Sequence, residues 1–293
     1  MSTIVQLALA VGDRVSLTEA SALTALARDS GVASIRLLDG ERTLDPTVVA
    51  AHLAGVHSGI GFVAEVPTTH HAPYNTARRV LSLDRATGGR AGIALLPGGG
   101  DEVSDATAPD PAAGDPLRRW REYAGVLTRL WESFPRRALI GDQAAAVVAR
   151  AELIRPIGHE GAFYRVAGPL DGPSSPQGRP VLVADLGVLD PAAVAESADV
   201  VVVEQAAGAD AALTDALRQA GRDRREVALL GRVPAGSPEQ VLVWVHEHRL
   251  DGVELVPAGG AEEVAAVLRA WASEVAEAPS LRAALGLRAE VAA

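Results

Sequence analysis

The chain has 293 residues, of which 48% are hydrophobic but only 3% aromatic, so Ala, Val and Leu must fill its core. Its formal net charge of −10 argues against a nucleic-acid partner, because nucleic-acid binding requires a cluster of basic residues. The absence of cysteine excludes disulfides, thiolate metal sites and a cysteine nucleophile, and it fits a reducing cytoplasm.

Short apolar runs alternate with helical patterns along the chain. Each run has four to eight residues and is apolar throughout, as expected of parallel strands that are buried on both faces. The first run lacks a basic region before it and is too short for a signal peptide or a membrane span, so we predict a cytoplasmic protein without a membrane partner. The predicted strands are residues 3–10, 34–38, 59–66, 91–96, 180–184, 199–204, 226–233 and 252–256.

The helical patterns lie between these runs, and several begin with a capping residue followed by proline, as at Asp45-Pro46 and Asp190-Pro191. The predicted helices are residues 18–30, 45–57, 74–87, 115–133, 191–197, 209–220, 237–248 and 260–276. Eight strands alternating with eight helices indicate a (β/α)8 TIM barrel, here a single domain over residues 1–293. The alternative is a doubly wound open sheet, but no G-x-G-x-x-G follows the first strand.

Two stretches do not fit this alternation. Residues 97–114 are rich in Gly, Pro, Asp and Ala and predict a loop. Residues at about 135–180 form a long insertion after the fourth strand, with a predicted hairpin of 153–157, a turn at 158–161 and 162–166. An insertion at this point is expected at the catalytic end of a barrel, where the βα connections lie.

The segment 68–90 reads TTHHAPYNTARRVLSLDRATGGR. It resembles the signature S/T-T-T-x-x-x-P-Y-x-x-A-R-R-x-x-S-L-D-x-x-x-x-G-R of the bacterial-luciferase-like, flavin-dependent monooxygenases. The resemblance lies with the branch of nitrilotriacetate, dibenzothiophene-sulfone and long-chain alkane monooxygenases. Segments 121–134, 157–181, 250–257 and 280–287 are similar to further motifs of that family in the same order. The chain is identified as a shortened, divergent member.

The resemblance implies a function and its partners. In that family, reduced FMN from a separate flavin reductase meets O2 at the C-terminal end of the barrel, and a flavin C4a-hydroperoxide oxygenates a small organic substrate. Flavin carries the chemistry, and the protein supplies binding, orientation and a dry pocket. The family also implies a homodimer.

Several residues match the family's flavin site. Asp39 ends the second predicted strand in L-L-D, similar to the family's L-A-D, whose aspartate lies by the flavin ring. The alternative role for Asp39 is capping the following loop. Thr68 and Thr69 match residues that line the flavin pocket. His70 and His71 follow at the same rim and are candidate catalytic donors to flavin or peroxide, or else solvent-exposed histidines.

Other flavin positions depart from the family pattern. Where the family has an asparagine and a hydroxyl residue on the fourth strand, this chain has Ala94 and Pro97, which offer neither group. Where the family has H-x-x-R-Y, with a tyrosine that holds the flavin phosphate, alignment places Ala113, Pro116 and Leu117.

A third departure follows the fifth predicted strand, where the family's G-x-S-x-x-G turn contacts the phosphate. Gly187 could still donate a backbone N–H there, whereas Asp185 and Asp190 are expected to repel a phosphate. Arg118, beside Arg119 at a helix start, is a candidate phosphate ligand in place of the missing groups.

Two functions therefore stay open. The first is an FMN-dependent monooxygenase. The second is a degenerate barrel that has lost flavin and serves as a partner subunit, a ligand binder or an enzyme of another reaction. We predict no metal site, because the residues of the His246-x-His248 pattern do not share a helix face.

Overall fold

Eight parallel strands close into a barrel in the computed structural model, which describes residues 3–69, 71–98, 115–234, 236–274 and 277–287. The barrel strands are β1 (Ile4–Leu9), β2 (Ser34–Leu37), β3 (Gly61–Pro67), β4 (Ala91–Leu96), β9 (Val181–Leu186), β10 (Val200–Val203), β11 (Ala228–Val233) and β12 (Gly252–Leu255). The order around the barrel is β1-β12-β11-β10-β9-β4-β3-β2. This closed order confirms the (β/α)8 TIM barrel and excludes the open sheet.

The helices begin within two residues of their predicted starts. Asp45 and Asp190 are N-caps as predicted, since their carboxylates accept from backbone N–H groups of the first helical turn. The predicted end of the helix 260–276 is wrong: this helix ends at Ala270, and the N–H of Ser273 donates to Ser30 O instead of to a helical carbonyl. The described helices are α1 (Leu17–Asp29), α2 (Pro46–Val56), α3 (Pro73–Ala86), α4 (Pro116–Glu132), α5 (Pro191–Ser197), α6 (Ala209–Gln219), α7 (Pro238–Glu247), α8 (Ala261–Ala270) and α9 (Leu281–Ala284).

The chain divides into two compact units. The first unit consists of Met1–Val66, Arg90–Ala94 and Val181–Arg288. The second takes the described residues of Pro67–Gly89 and Leu95–Pro180. The single domain over residues 1–293 remains a prediction.

The core of the first unit is aliphatic, as the composition requires. Val63, Val183 and Leu230 are fully buried in it. Leu281 of α9 joins the same cluster and approaches β3 so closely that a Cβ on Gly61 would lie 2.5 Å from Leu281 Cδ1. A glycine is therefore required where the last helix covers the strand.

The second unit is organised around α4, whose tryptophans are buried and hydrogen-bonded. Trp120 Nε1 donates to Leu95 O (2.6 Å), and Trp131 Nε1 donates to Ala77 O (3.0 Å). Each indole thus buries its ring without leaving its polar atom unpaired. Among the described residues, no helix is both long enough and apolar enough to span a membrane.

Two antiparallel strand pairs follow α4 in the second unit. The first, β5 (Leu139–Asp142) with β6 (Val147–Ala149), is not foreseen in the sequence. The second is β7 (His159–Glu160) with β8 (Arg165–Val166), in which His159 pairs with Val166. The predicted turn at 158–161 is therefore wrong, because the register places the turn at 161–164.

Candidate functional site

Five charged side chains lie inside barrel strands, so the expectation that the strands are apolar throughout is wrong. They are Arg36 of β2, Glu65 of β3, Asp185 of β9, Arg232 of β11 and Glu254 of β12, and they are called the ion cluster below. All five belong to the first unit.

The ion cluster faces the barrel interior. Glu65, Asp185 and Arg232 each stand two residues after a member of the buried core cluster, which for Glu65 is Val63. Because side chains of a strand alternate between its two faces, residues two apart share a face. The charges therefore lie on the same inward face as the core, one step closer to the C-terminal ends of the strands.

Arg36 is the centre of the ion cluster, with 1% of its side chain exposed. Its Nε donates to Glu65 Oε1 (2.8 Å). Its Nη1 and Nη2 donate to Asp185 Oδ1 (2.8 Å) and Oδ2 (2.7 Å), which is a bidentate pair. Nη1 also donates to Glu254 Oε2 (3.3 Å). One guanidinium thus contacts three carboxylates.

Arg232 of β11 is the second guanidinium of the ion cluster. Its Nε donates to Glu254 Oε1 (2.8 Å), and its Nη2 donates to Asp185 Oδ1 (2.9 Å). Its Nη1 lies 3.4 Å from Glu204 Oε1, on a side chain that is 75% exposed. Asp185 therefore receives hydrogen bonds from both arginines.

The charges of the ion cluster do not balance, because two guanidiniums face three carboxylates. Burial acts to raise the pKa of Asp185, but Arg36 and Arg232 outweigh it, so that pKa is lowered. Burial likewise acts to lower the pKa of Arg36, and its hydrogen bonds to Asp185 and the neighbouring carboxylates raise it overall. Burial raises the pKa of Glu65 despite its contact with Arg36. Glu65 is thus less well compensated than Asp185.

Asp39 lies two residues beyond the end of β2 and is exposed. Its backbone N–H donates to Glu65 Oε2 (2.8 Å), which ties it to the ion cluster. Capping of the following loop is done by other residues: Gly40 N–H donates to Thr43 Oγ1, and Asp45 caps α2.

Gly187 adopts a φ of +109°, and a Cβ there would have no neighbour within 4 Å. Its N–H already donates to Leu189 O (3.1 Å) within the turn. The two aspartates near Gly187 also have partners. Asp185 is paired with two arginines, and the Asp190 carboxylate accepts from Ala193 N–H as the N-cap of α5. Neither is a bare negative charge.

In the second unit, Thr68 and Thr69 follow β3 and are buried. The Thr68 hydroxyl donates to Pro97 O (2.5 Å) and accepts from Arg119 Nε (3.1 Å). Arg119 Nη2 also donates to Pro97 O (3.0 Å). Arg119 is therefore a buried residue that holds two loop segments, whereas Arg118 is exposed on the first turn of α4.

Of the two candidate catalytic histidines, only His71 lies among the described residues. His70 lies outside the described residues. His71 is partly buried, and its carbonyl oxygen is 3.0 Å from the hydroxyl of Tyr123, which is also 2.7 Å from Thr76 Oγ1. Burial raises the pKa of Tyr123, so this phenol stays protonated at neutral pH. His246 and His248 close α7, where the His248 ring packs edge-on against Trp244.

A second polar group of this unit centres on Glu122. Its carboxylate accepts from His159 Nε2 (2.9 Å) and from the N–H groups of Ala162 (3.0 Å), Phe163 (3.1 Å) and Tyr164 (2.8 Å). Burial acts to raise the pKa of Glu122, but these hydrogen bonds lower it overall. Glu122 thus fixes the turn at 161–164, which is why the hairpin register differs from the prediction.

Sequence reasoning missed the ion cluster and Glu122. A signal for the first is present, because Arg36 and Glu65 each interrupt an apolar run with a charge that burial would have to compensate. Glu122 carries no such signal, since it stands in an amphipathic helix among other charged residues.

Comparison with known proteins gives the family. A sequence model of the family described as luciferase-like monooxygenase matches residues 3–284. Nitrilotriacetate monooxygenase component A of Aminobacter aminovorans is 34% identical over 158 residues, which are 53% of this chain and 35% of that protein. Dibenzothiophene-sulfone monooxygenase of Rhodococcus erythropolis is 32% identical over 150 residues, 49% of this chain and 32% of that protein. The matched segments thus span about a third of the length of these curated relatives.

A solved structure extends the likeness to the whole fold. EDTA monooxygenase from Chelativorans sp. BNC1 superimposes with a TM-score of 0.80 at 17% identity, covering 98% of each chain. At that identity the likeness concerns the fold alone. With the family match over residues 3–284, the chain belongs to the luciferase-like monooxygenase family.

Proposed function

We propose that this chain is the oxygenase component of a two-component system that uses reduced FMN, supplied by a separate flavin reductase, to oxygenate a small organic substrate. The observation that carries the proposal is the family match across residues 3–284, which includes the strands and helices of the barrel. A homodimer and a cytoplasmic location are part of the same proposal.

The residues that would hold FMN are proposed for each unit separately. In the first unit, Asp39 offers an exposed carboxylate whose backbone is fixed through Glu65. Gly187 offers open space above its Cα, although its N–H is engaged. In the second unit, the buried Thr69 follows β3, and Arg118 offers an exposed guanidinium that suits a phosphate.

The remaining chemistry is divided between cofactor and protein. Bound reduced FMN would supply the activation of O2. The chain's own contribution would be binding, orientation and exclusion of water, and His71 is proposed as a proton donor at the rim of the second unit. Ala94 has a methyl side chain with no polar atom to offer a flavin, and it is buried in the aliphatic core.

A second function, a barrel of this family that no longer binds flavin, is favoured by one observation. The inward face near the C-terminal strand ends of the first unit carries the ion cluster, and its hydrogen-bonding groups are largely used within the cluster. Such a barrel would serve as a partner subunit, as a binder of another ligand or as an enzyme of another reaction.

Titration with FMN distinguishes the two functions. The purified chain would be titrated with oxidised FMN and then, anaerobically, with FMNH2, by fluorescence quenching and by calorimetry. The first proposal expects saturable binding of the reduced form at micromolar concentration or tighter. Absence of binding of either form at high micromolar concentration would contradict it and favour the second. Substrate screening with a reductase would follow only a positive titration.

A further inference from the structure

Glu65 divides its two carboxylate oxygens between different tasks. Oε1 accepts from Nε (2.8 Å) and lies 2.7 Å from Nη2 of Arg36, inside the ion cluster. Oε2 accepts from the backbone N–H of Asp39 (2.8 Å). A single side chain thus connects a buried guanidinium to the backbone of an exposed residue beyond β2.

The contact on Asp39 lies where the regular strand pairing of β2 stops. Leu37 is the last residue of the strand, and Leu38 N–H still donates to Leu9 O (3.0 Å) of β1. The next N–H, that of Asp39, is taken by Glu65 instead of by a strand. Glu65 therefore continues the hydrogen bonding of β2 by one residue and decides where the backbone at Asp39 lies.

The rigidity of Glu65 comes from Arg36. Arg36 cannot move freely, because it is bound to Asp185 by two hydrogen bonds and lies 3.3 Å from Glu254. A charge-assisted, bidentate contact holds a side chain in one geometry better than a single neutral hydrogen bond does. Asp39 is thereby connected to strands β9 and β12 through Glu65 and Arg36.

We propose that the Arg36–Glu65 pair is a positioning device that fixes the backbone of Asp39 and so sets how firmly the barrel holds a ligand in contact with Asp39. Glu65 is a positioning residue, since it acts through Asp39. That this ligand is a flavin rests on the function proposed above. The fixing of Asp39 itself does not.

The charge balance of the ion cluster makes the proposal testable by substitution. Removal of Glu65 leaves two guanidiniums facing the two carboxylates of Asp185 and Glu254. The Glu65→Ala variant is therefore expected to fold. Glu65→Gln is the isosteric variant that cannot ionise, and its single amide oxygen can accept from Asp39 N–H or from Arg36 while its NH2 group faces the other donor. Glu254→Gln is the matched control, since Glu254 belongs to the same cluster but bonds to Arg36 and Arg232 rather than to Asp39.

Charged groups from neighbouring elements surround Glu65. Arg36 and the exposed Asp39 face it from β2 and the segment after it, and Asp185 faces it from β9. Arg232 and Glu254 act on it through their contacts with Asp185 and Arg36. Protonation of Glu65 would place a hydrogen between Oε2 and Asp39 N–H or between Oε1 and Arg36, and either would weaken the connection.

The experiment reads Asp39 without any ligand. Protein labelled with 15N-aspartate is used to follow hydrogen exchange of the Asp39 amide by NMR as a function of pH, corrected for intrinsic exchange. The proposal expects exchange at Asp39 to accelerate about tenfold in Glu65→Ala, the factor for a lost interaction of about 1.4 kcal/mol. Glu65→Gln, whose NH2 group faces either Asp39 N–H or Arg36, should likewise accelerate exchange and remove the dependence of Asp39 protection on Glu65 ionisation. Glu254→Gln should leave Asp39 exchange unchanged.

Two outcomes would overturn the proposal. Asp39 exchange that is the same in wild type and Glu65→Ala would show that Glu65 does not fix it. An equal acceleration in Glu254→Gln would show general loosening of the barrel. FMN affinity is measured on the same variants. Failure of the wild type to bind FMN would contradict the proposed function and leave the exchange result standing, whereas binding with unchanged exchange would contradict only the positioning role.

Discussion

Arg36 and Asp185, 149 positions apart in the chain, form two parallel hydrogen bonds of 2.8 and 2.7 Å on the inward face of the first unit. Asp185 also accepts from Arg232, and Arg36 also contacts Glu65 and Glu254. A barrel interior is ordinarily packed with branched aliphatic side chains. In this chain, charges take that place near the ends of the strands, so their mutual compensation decides whether the barrel end is stable.

Substitution of Arg36 tests this compensation. Arg36→Met removes one of two guanidiniums and leaves three carboxylates with Arg232 alone. Breaking a buried ion pair by removing one partner typically costs about 3–5 kcal/mol, and we expect Arg36→Met to lower the free energy of unfolding at pH 7 by about that amount in urea denaturation. Arg218→Met, in an exposed pair with Asp215, is the control and should cause no measurable change. Equal stability of Arg36→Met and wild type would contradict the model of mutual compensation.

The raised pKa of Glu65 predicts a pH dependence of definite sign. A carboxyl whose pKa is higher in the folded than in the unfolded state contributes stability that is fully present below its ordinary pKa of 4.5 and is lost as pH rises through the folded value. Glu65→Gln cannot ionise. We therefore expect its free energy of unfolding relative to wild type to increase as pH rises above 4.5, measured by urea denaturation between pH 4.5 and 8. A difference that does not change over that range would refute a raised pKa.

The strands were predictable because their pattern is local. Residues 91–96 are apolar, short and bounded by Gly, Arg and Pro, and β4 has those bounds. The ion cluster was not predictable in the same way. Its contacts join residues 29, 149 and 218 positions apart, and only the register of the barrel shows that these charges meet. Arg36 and Glu65 in apolar runs signalled that partners must exist, but not which residues these partners are.

In the candidate functional site, too, the positions of residues were predictable but their long-range contacts were not. Asp39 was found from its place after a strand, whereas its N–H contact depends on Glu65 of the neighbouring strand. The pair Arg118-Arg119 could be located at a helix start, but the sequence does not say which guanidinium turns inward. The hydrogen bonds from Arg119 to Thr68 Oγ1 and Pro97 O show that Arg119 is the arginine that turns inward. The hairpin turn was misplaced for a similar reason, since Glu122 fixes it from 40 residues away.

Glu122 predicts a local effect in the second unit. Glutamine at this position has one carbonyl oxygen, so its NH2 group would face one or more of the N–H donors of 162–164. We expect Glu122→Gln to accelerate hydrogen exchange in peptides covering 161–166 by about tenfold, since each hydrogen bond to a charged group contributes about 1.5–3 kcal/mol. Glu160→Gln, exposed in the same hairpin, is the control. The effect is read by mass spectrometry.

The lowered pKa of Glu122 gives the sign of its pH dependence. A carboxylate with a depressed pKa contributes stability that is present above its ordinary value of 4.5 and is lost as pH falls through the folded value. Protection of 161–166 in wild type, corrected for intrinsic exchange, should therefore approach that of Glu122→Gln only below pH 4.5. Convergence of the two proteins at neutral pH would contradict this assignment.

Gly161 predicts a steric effect beside the same carboxylate. A Cβ at this position would lie 2.1 Å from Glu122 Oε1 and 2.6 Å from His159 Nε2. Both atoms are held by hydrogen bonds, so Gly161→Ala should lower the free energy of unfolding by about 1–3 kcal/mol, as overpacking does. Gly125→Ala on α4 has nothing within 4 Å of the added Cβ and should stabilise by about 0.5–1 kcal/mol. Chemical denaturation measures both, and a neutral Gly161→Ala would show that the turn can shift.

Substitution of Arg118 tests the proposed binding of FMN directly. Its exposed guanidinium at the start of α4 is proposed to bind the FMN phosphate, so Arg118→Ala should weaken binding of reduced FMN by about ten- to a hundredfold, as for a lost hydrogen bond to a charged group of about 1.5–3 kcal/mol. Affinity for reduced riboflavin, which has no phosphate, should not change. Arg137→Ala removes another exposed arginine of the same unit and is the matched control. An equal loss for FMN and riboflavin, or for both variants, would exclude a direct contact between Arg118 and the phosphate.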